Sequence, residues 1–295
     1  MRLVNPSTWA TKPIDNGFEG RTDGLTYTGT ADKPQLLRVW GNILPVDPTT
    51  GMYSAILTDM SSGVTPTNEK KVTIADGAAT MPAGALAGRT VLVTAGPTVE
   101  PIDSVRYISN YSSGKMGYAI AEAAAAAGAR VVLVSGPVAL AAPNGVEVVP
   151  VKTARDMLAA ASSVFPAADA AIFAAAVADL RPANPADRKL KKGRDDAALA
   201  NVPLTENPDI LATLAAGKRP DQYVVGFAAE TNDVLMNAHA KLKKKNADMI
   251  VANQVGDGLA FGTDNNEVWL VTEGDDVLLP LMSKRAVAER LMEVV

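Results

Sequence analysis

From residue 88 onward the chain alternates short apolar runs with stretches of good helix formers, and this alternation limits the fold more than any other feature. Arg89–Thr94 (RTVLVT), Arg130–Ser135 (RVVLVS), Val146–Val151, Ala170–Ala175, Gln222–Phe227 and Asp248–Ala252 are apolar and mostly β-branched. Runs with no polar alternation suit strands buried on both faces. Between them, Tyr118–Ala127 is nearly all alanine and stops at Gly128, as a helix does when a glycine can take the left-handed conformation at its end. Thr153 and Asp156 have capping-box spacing, Asn207-Pro208 reads as an N-cap followed by a proline at the first helical position, and Ser283 reads as the cap of a C-terminal helix. Repeated units of this kind predict an α/β fold, a doubly wound and mainly parallel sheet with helices on both faces. Glu267–Thr272 and Val277–Pro280, joined by Glu273-Gly274-Asp275-Asp276, predict a C-terminal antiparallel hairpin. The runs leave strand order open.

The pattern before residue 88 is different. Leu25–Thr28, Gln35–Val46, Met52–Leu57 and Lys71–Ala75 are strand-like and separated by Asp, Pro, Gly and Thr clusters. We expect a small β-rich domain over residues 1–85, followed by the main domain over 86–295. Met81–Gly88 (MPAGALAG) then reads as a linker, or else as a loop inside a single domain.

Composition removes several chemistries. The chain has 295 residues, no cysteine and one histidine, His239. Disulfides, thiolate nucleophiles and cysteine-held metals are excluded, and a Ser-His-Asp relay or a multi-histidine metal site is disfavoured. No metal ligands are assigned. Chemistry must rest on Lys, Arg, Asn, Asp and backbone groups, which fits phosphoryl or nucleotidyl transfer. A formal charge of -4 creates no global positive field, so nucleic acid and anionic membranes are not expected partners. The first residues lack the apolar core of a signal peptide, and no run approaches the roughly 20 apolar residues of a membrane span. A cytoplasmic location is expected.

In sheets of this type ligands bind beyond the carboxyl ends of the strands. The loops Thr94–Thr98, Ala174–Asp179 and Gly226–Thr231 lie at such ends. The most unusual segment is Arg106–Gly117 (RYISNYSSGKMG), a donor-rich turn with Arg106 and Lys115 at its flanks. It could seat an anion or be a plain surface loop. It is not a Walker A loop, because Ser109 stands where the first glycine belongs and Met116 where the Ser or Thr belongs. Tyr111 and Lys115 imitate the Tyr-Lys pair of short-chain reductases, but the Ser-Ser-Gly between them opposes a helix there. No G-x-G-x-x-G follows the first strand, since Gly96 precedes Pro97 and Thr98. Lysines recur at Arg188–Lys192 and at Lys241–Lys245; a solvated face accounts for such runs as readily as a phosphate site does. Leu180–Ala200 reads as a flexible flap that could carry a lysine to a phosphate, or as a surface loop. His239 reads as a partly exposed helix residue, and Trp9, Trp40 and Trp269 as packing residues.

Taken together, VLVTAGPTVEPIDSVRYISNYSSGKMGYAIAEAA, LVSGPVAL, AAAVADLRP, KLKK, NPDIL, VVGFAAET and the lysine helix followed by ADMIVAN resemble bacterial phosphopantothenoylcysteine synthetase, in order and spacing. The resemblance covers about residues 86–295 and implies a Rossmann-like sheet. It further implies a ligase that joins 4'-phosphopantothenate to L-cysteine, with CTP as co-substrate and Mg²⁺ carried by the nucleotide, through an acyl-cytidylate. By matching position it gives Asn110 and Arg106 the phosphopantothenate and the acyl-cytidylate, and Lys189 the role of a flap lysine closing on the phosphates. Ala175, Asp179, Pro208, Asp209, Ile210, Leu211, Phe227, Lys241 and Lys245 correspond to the nucleotide pocket. It implies a homodimer. In many bacteria such a synthetase is fused to a flavin-dependent decarboxylase, but residues 1–85 are short, β-patterned and without the cysteine and histidine of that partner, so no flavin is expected. An oligomerisation module, an unrelated fused domain and a non-native extension are all compatible with that segment. Two other readings stand beside the ligase: a nonenzymatic nucleotide-binding regulatory protein, and an NAD(P)-dependent reductase resting on Tyr111 and Lys115.

Overall fold

The computed structural model describes residues 84–255 and 263–295 throughout and, within the first 83 residues, the backbone of six strands. The chain divides into two compact units, residues 1–77 with 274–280, and residues 78–273 with 281–295.

The first unit is built of strands β1 (Arg2–Val4), β2 (Thr11–Pro13), β3 (Leu25–Tyr27), β4 (Leu37–Val39), β5 (Met52–Thr58) and β6 (Lys70–Ala75). β5 and β6 pair antiparallel from Met52↔Ala75 to Leu57↔Lys70, β1 lies antiparallel between β5 and β2, and β3 pairs antiparallel with β4. Residues 276–278 run parallel to β6. The β-rich reading of this region therefore holds for these strands. The remainder of the Gln35–Val46 run, with Trp9 and Trp40, lies outside the described residues.

The second unit contains β7 (Thr90–Ala95), β8 (Val99–Pro101), β9 (Tyr107–Ser109), α1 (Lys115–Ala126), β10 (Arg130–Ser135), β11 (Val146–Pro150), α2 (Ala154–Val164), β12 (Ala170–Phe173), β13 (Leu180–Pro182), α3 (Asp196–Ala200), β14 (Leu204–Glu206), α4 (Ile210–Ala215), β15 (Tyr223–Glu230), α5 (Val234–Lys245), β16 (Met249–Gln254) and β17 (Asn265–Val271). β18 (Asp276–Ser283) and α6 (Lys284–Met292) complete the chain. β11-β10-β7-β12-β15-β16 form a parallel sheet with β17 antiparallel beyond β16. In chain order the parallel strands lie 3-2-1-4-5-6, so the crossovers reverse direction between β7 and β12. Leu92, Val93, Leu133, Ile172, Val225 and Ile250 are fully buried, which the unbroken apolar runs required. Both strands of the expected C-terminal hairpin are present as β17 and β18, each longer than its apolar run.

Helix α1 buries Gly117, Ile120, Ala121 and Ala124, spaced three to four residues apart along one face. Gly117 is there because the helix touches β7: a Cβ at this position would lie 2.5 Å from the Ala95 Cβ. The alanine helix ends as expected, with Gly128 left-handed at φ 93. Thr153 and Asp156 form the capping box of α2, and the Ser283 hydroxyl accepts from Ala286 N at the start of α6.

One cap differs from the sequence reading. Asp209, not Asn207, caps α4, accepting from Ala212 N at 2.8 Å, and Pro208 precedes the helix. Asn207 is drawn away by longer-range partners: its Nδ2 donates to Ala178 O at 2.8 Å and its Oδ1 accepts from Arg181. Leu180–Ala200 is also more ordered than a bare flap. Its start pairs antiparallel with β14 (Leu180↔Glu206), its end is α3, and Arg188 and Lys191 N both bond the Asp195 carboxylate between them.

Candidate active site

The reversal between β7 and β12 puts a crevice at their carboxyl ends, where a doubly wound sheet binds its ligands. Here the two strand-end loops continue the sheet. Ala174 N donates to Thr94 O and Ala176 N to Gly96 O, while Thr98 N donates to Ala176 O. The Thr98 hydroxyl accepts from Ala178 N at 3.0 Å. Pro97, which has no N–H to offer an anion, bridges to Ala176. The first crossover does not run straight into its helix. A hairpin, β8–β9, intervenes, and the Asn110–Gly114 loop leads from it to α1, with Gly114 left-handed at φ 76.

A cavity of about 840 Å³ opens at this point. Asn110 to Gly117 form one wall, Thr94 and Phe173 to Leu180 the floor, and Glu206 to Leu211, Phe227, Lys241 and Lys245 the other wall. Asn253, Val255, Asn266 and Lys284 close one end. Of the residues named from the sequence, Asn110, Ala175, Asp179, Pro208, Asp209, Ile210, Leu211, Phe227, Lys241 and Lys245 all line this one space.

The lysine run of α5 divides by helical spacing. Lys241 and Lys245, four apart, point to the cavity, while Lys243 and Lys244 are exposed. Lys241 Nζ donates to Phe227 O at 2.7 Å. Burial, together with the neighbouring Lys245 charge, lowers the Lys241 pKa, against the pull of Glu230, Asp209 and Asp179. Lys245 pairs with Asp209. Burial alone would raise the Asp209 pKa, but Lys245, the Ala212 N–H and Lys241 more than offset it, and the net direction is down.

Asn110 Nδ2 donates to both Ala176 O (3.2 Å) and Val177 O (3.1 Å). The amide thus ties its loop to the loop after β12, and a donor role toward an intermediate requires one of these bonds to be exchanged for the ligand. Two expected residues do not line the cavity. Arg106 is paired with Asp103 and also donates to Leu190 O at 2.8 Å, and Lys189 is exposed on the neighbouring segment. Tyr111 is 94% exposed and Lys115 begins α1, so the two do not share a helical turn as a reductase pair would. His239 lies half-buried on α5, as read.

Lys115, read from the sequence as a cation flanking the donor-rich turn, lines the cavity, as do Asn253, Asn266 and Lys284, to which the sequence assigned no role. Lys284 is 8% exposed at the first position of α6 and donates to Thr263 O at 2.5 Å. A lysine directly after the N-cap Ser283 was the available signal, since a cation at a helix N-terminus opposes the helix dipole. Among the described residues no group of three His, Cys, Asp or Glu side chains gathers as a metal site. No described helix is long and apolar enough to cross a membrane.

Strand order and crevice together define the second unit as a Rossmann-like α/β domain with its site at the switch point. Residues 86–295 match the family described as DNA/pantothenate metabolism flavoprotein C-terminal domain, and the chain belongs to that family. It is 48% identical over 211 residues to the "Coenzyme A biosynthesis bifunctional protein CoaBC" of Vibrio parahaemolyticus, covering 70% of this chain and 52% of that protein. It thus spans about half the length of that relative. The protein of the same description from Mycobacterium tuberculosis H37Rv is 41% identical over 289 residues, covering 93% of this chain and 68% of the relative. That span reaches into the first 85 residues. The crystal structure of the C-terminal domain of a CoaBC protein, 43% identical, superposes with a TM-score of 0.60 over 72% of this chain and 96% of that one.

Proposed function

We propose that the chain is a coenzyme A biosynthesis ligase that joins 4'-phosphopantothenate to L-cysteine at the expense of CTP. The observation that carries this reading is the meeting, in one cavity, of the Asn110 loop with Asp179, Asp209, Phe227, Lys241 and Lys245. Those residues come from five separate parts of the chain, and a nucleotide with a second substrate would span them. Relatives named as coenzyme A biosynthesis proteins support the same reading.

Two steps follow. A 4'-phosphopantothenate carboxylate oxygen attacks the α-phosphorus of CTP; a P–O bond forms, the α–β bridge breaks, and pyrophosphate leaves. The cysteine amine then attacks the acyl carbon, the acyl–phosphate bond breaks, CMP leaves, and the amine loses a proton. The first step needs no histidine base, because the carboxylate is already ionised at neutral pH. It needs cations where negative charge gathers. In this reading Lys241 and Lys245, which line the cavity, serve the nucleotide, and Lys189 is the cation brought by the adjacent segment. Asp179, Glu206 and Asp209 line the cavity without clustering, so a nucleotide-borne Mg²⁺ would draw its ligands chiefly from phosphate and water oxygens. No flavin chemistry is assigned. We further assign a homodimer in the cytoplasm.

Incubation of the protein with CTP, Mg²⁺, 4'-phosphopantothenate and cysteine tests the reading. CMP and the cysteine conjugate should appear only when all substrates are present, and pyrophosphate should accumulate beyond one equivalent of enzyme only then. Nucleotide binding without pyrophosphate release would leave the regulatory reading in its place.

A further inference from the structure

Asp103 lies between two segments that the proposed reaction needs, and its side chain is fully buried. Its Oδ1 accepts from Val105 N and Arg106 N, both at 2.8 Å, and so closes the turn after β8. Its Oδ2 faces the other way. It accepts from Arg106 Nε and from Leu190 N, each at 3.0 Å, and pairs with the Arg106 terminal nitrogen. That same nitrogen donates to Leu190 O at 2.8 Å. Leu190 is therefore held at both its N–H and its C=O, by the two members of one ion pair. A further bond, Ala186 N to Ile102 O at 2.9 Å, fixes the segment a second time.

Lys189 is the residue immediately before Leu190. Its own side chain is exposed, so its placement depends on the backbone that carries it. We propose that Asp103 is a positioning residue for the ligase reaction: through Arg106 and Leu190 it holds the Lys189 segment against the turn that leads to Asn110. Arg106 then acts as the arm of this clamp. The inference rests on the ligase reading only for its kinetic consequence; the clamp itself can be tested without turnover.

Asp103→Asn separates the two halves of the carboxylate's work. An amide keeps one acceptor for the turn, while its N–H₂ replaces Oδ2 and meets the donors of Arg106 and Leu190. The turn should survive and the grip on Leu190 should fail. Amide hydrogen exchange at Leu190 and tryptic cleavage within residues 188–194 should each rise by about tenfold or more in the full-length variant, with the melting of the rest of the chain retained. In the ligase assay kcat should fall by ~10–100-fold, as expected when a reacting group is misplaced by about an ångström, with a smaller change in KM for CTP. In a Lys189→Gln background the same substitution should add little, because the group it positions is already gone. Unchanged exchange and cleavage would overturn the clamp. Losses that multiply in the double variant would overturn its action through Lys189. If the wild-type protein shows no turnover, the ligase reading fails, while exchange and cleavage still decide whether Asp103 holds the segment.

Discussion

Asp209 and Lys245 join the start of α4 to the end of α5 across one wall of the cavity. One carboxylate oxygen of Asp209 caps α4 and the other pairs with the lysine. The two roles differ in weight. The Asp209 side chain is 45% exposed, and ion pairs that open to water contribute little, whereas a lost N-cap costs about 1 kcal/mol. Asp209→Asn, which can still cap, should therefore unfold in urea near the wild type, and Asp209→Ala should be less stable by about 1 kcal/mol. Equal destabilisation by both would show that the ion pair, not the cap, dominates.

The two faces of the α5 lysine run should behave differently. Lys241→Gln or Lys245→Gln removes an ammonium that lines the cavity, and a lost charge-assisted contact should raise KM for CTP by about tenfold or more. Lys243→Gln and Lys244→Gln alter exposed positions and should leave KM unchanged. Steady-state kinetics on the four variants would check this; an equal effect at all four would mean that the run acts only through its summed charge.

Asn110→Asp replaces two N–H donors with a carboxylate that faces the carbonyls of Ala176 and Val177 and an anionic intermediate. Removing a donor to developing charge typically lowers rate by ~10²–10³, and conjugate formation should fall by that order while some CTP is still consumed. Mass spectrometry of the quenched reaction should find phosphopantothenoyl-cytidylate. Wild-type product formation would remove the Asn110 loop from the active site.

Acid stability should follow the aspartates that hold loops and caps. Arg106 and backbone N–H groups hold the Asp103 carboxyl well below the usual range, the Thr153 N–H and hydroxyl lower Asp156, and the Thr90 N–H and Arg89 lower Asp169. Each carboxyl binds its proton less readily when folded, so its stabilisation is complete above the ordinary value of 3.8. It is lost as pH falls from there through the lowered folded values. Thermal melts should vary little on account of these groups between pH 7 and about 5, then drop steeply below about 4. A matching drop between pH 7 and 5 would point to other groups.

The strands of the main sheet were legible because Val, Leu and Ala runs without polar interruption can be buried only between two layers of helix. Their neighbours were not, since an apolar run carries no mark of which strand it will pair with. Lys241 and Lys245 could be matched one by one, and helical spacing explains why they share a face. Asn207 misled the reading of α4: it is as good a cap by type as Asp209, and only the fold brings Ala178 O and Arg181 to claim it. Asp103 left no trace at all. A carboxylate becomes a fully buried clamp only when residues 103 and 190 meet, and no local pattern announces that meeting. The chemistry of the Asn110 loop came from resemblance rather than from spacing, which had left an anion site and a surface loop both open.

The opposed crossovers on either side of β7 and β12 gather distant stretches of chain around one cavity. The cavity draws its walls from residue 94 to residue 284, so an occupant rivets together stretches of chain that are otherwise far apart in sequence. Its free energy of binding is then shared by the whole Rossmann-like unit, through the linkage that raises stability by RT ln(1 + [L]/Kd). A ligand that occupies this cavity would thus act as a removable brace for this unit, and its melting temperature would rise with ligand concentration.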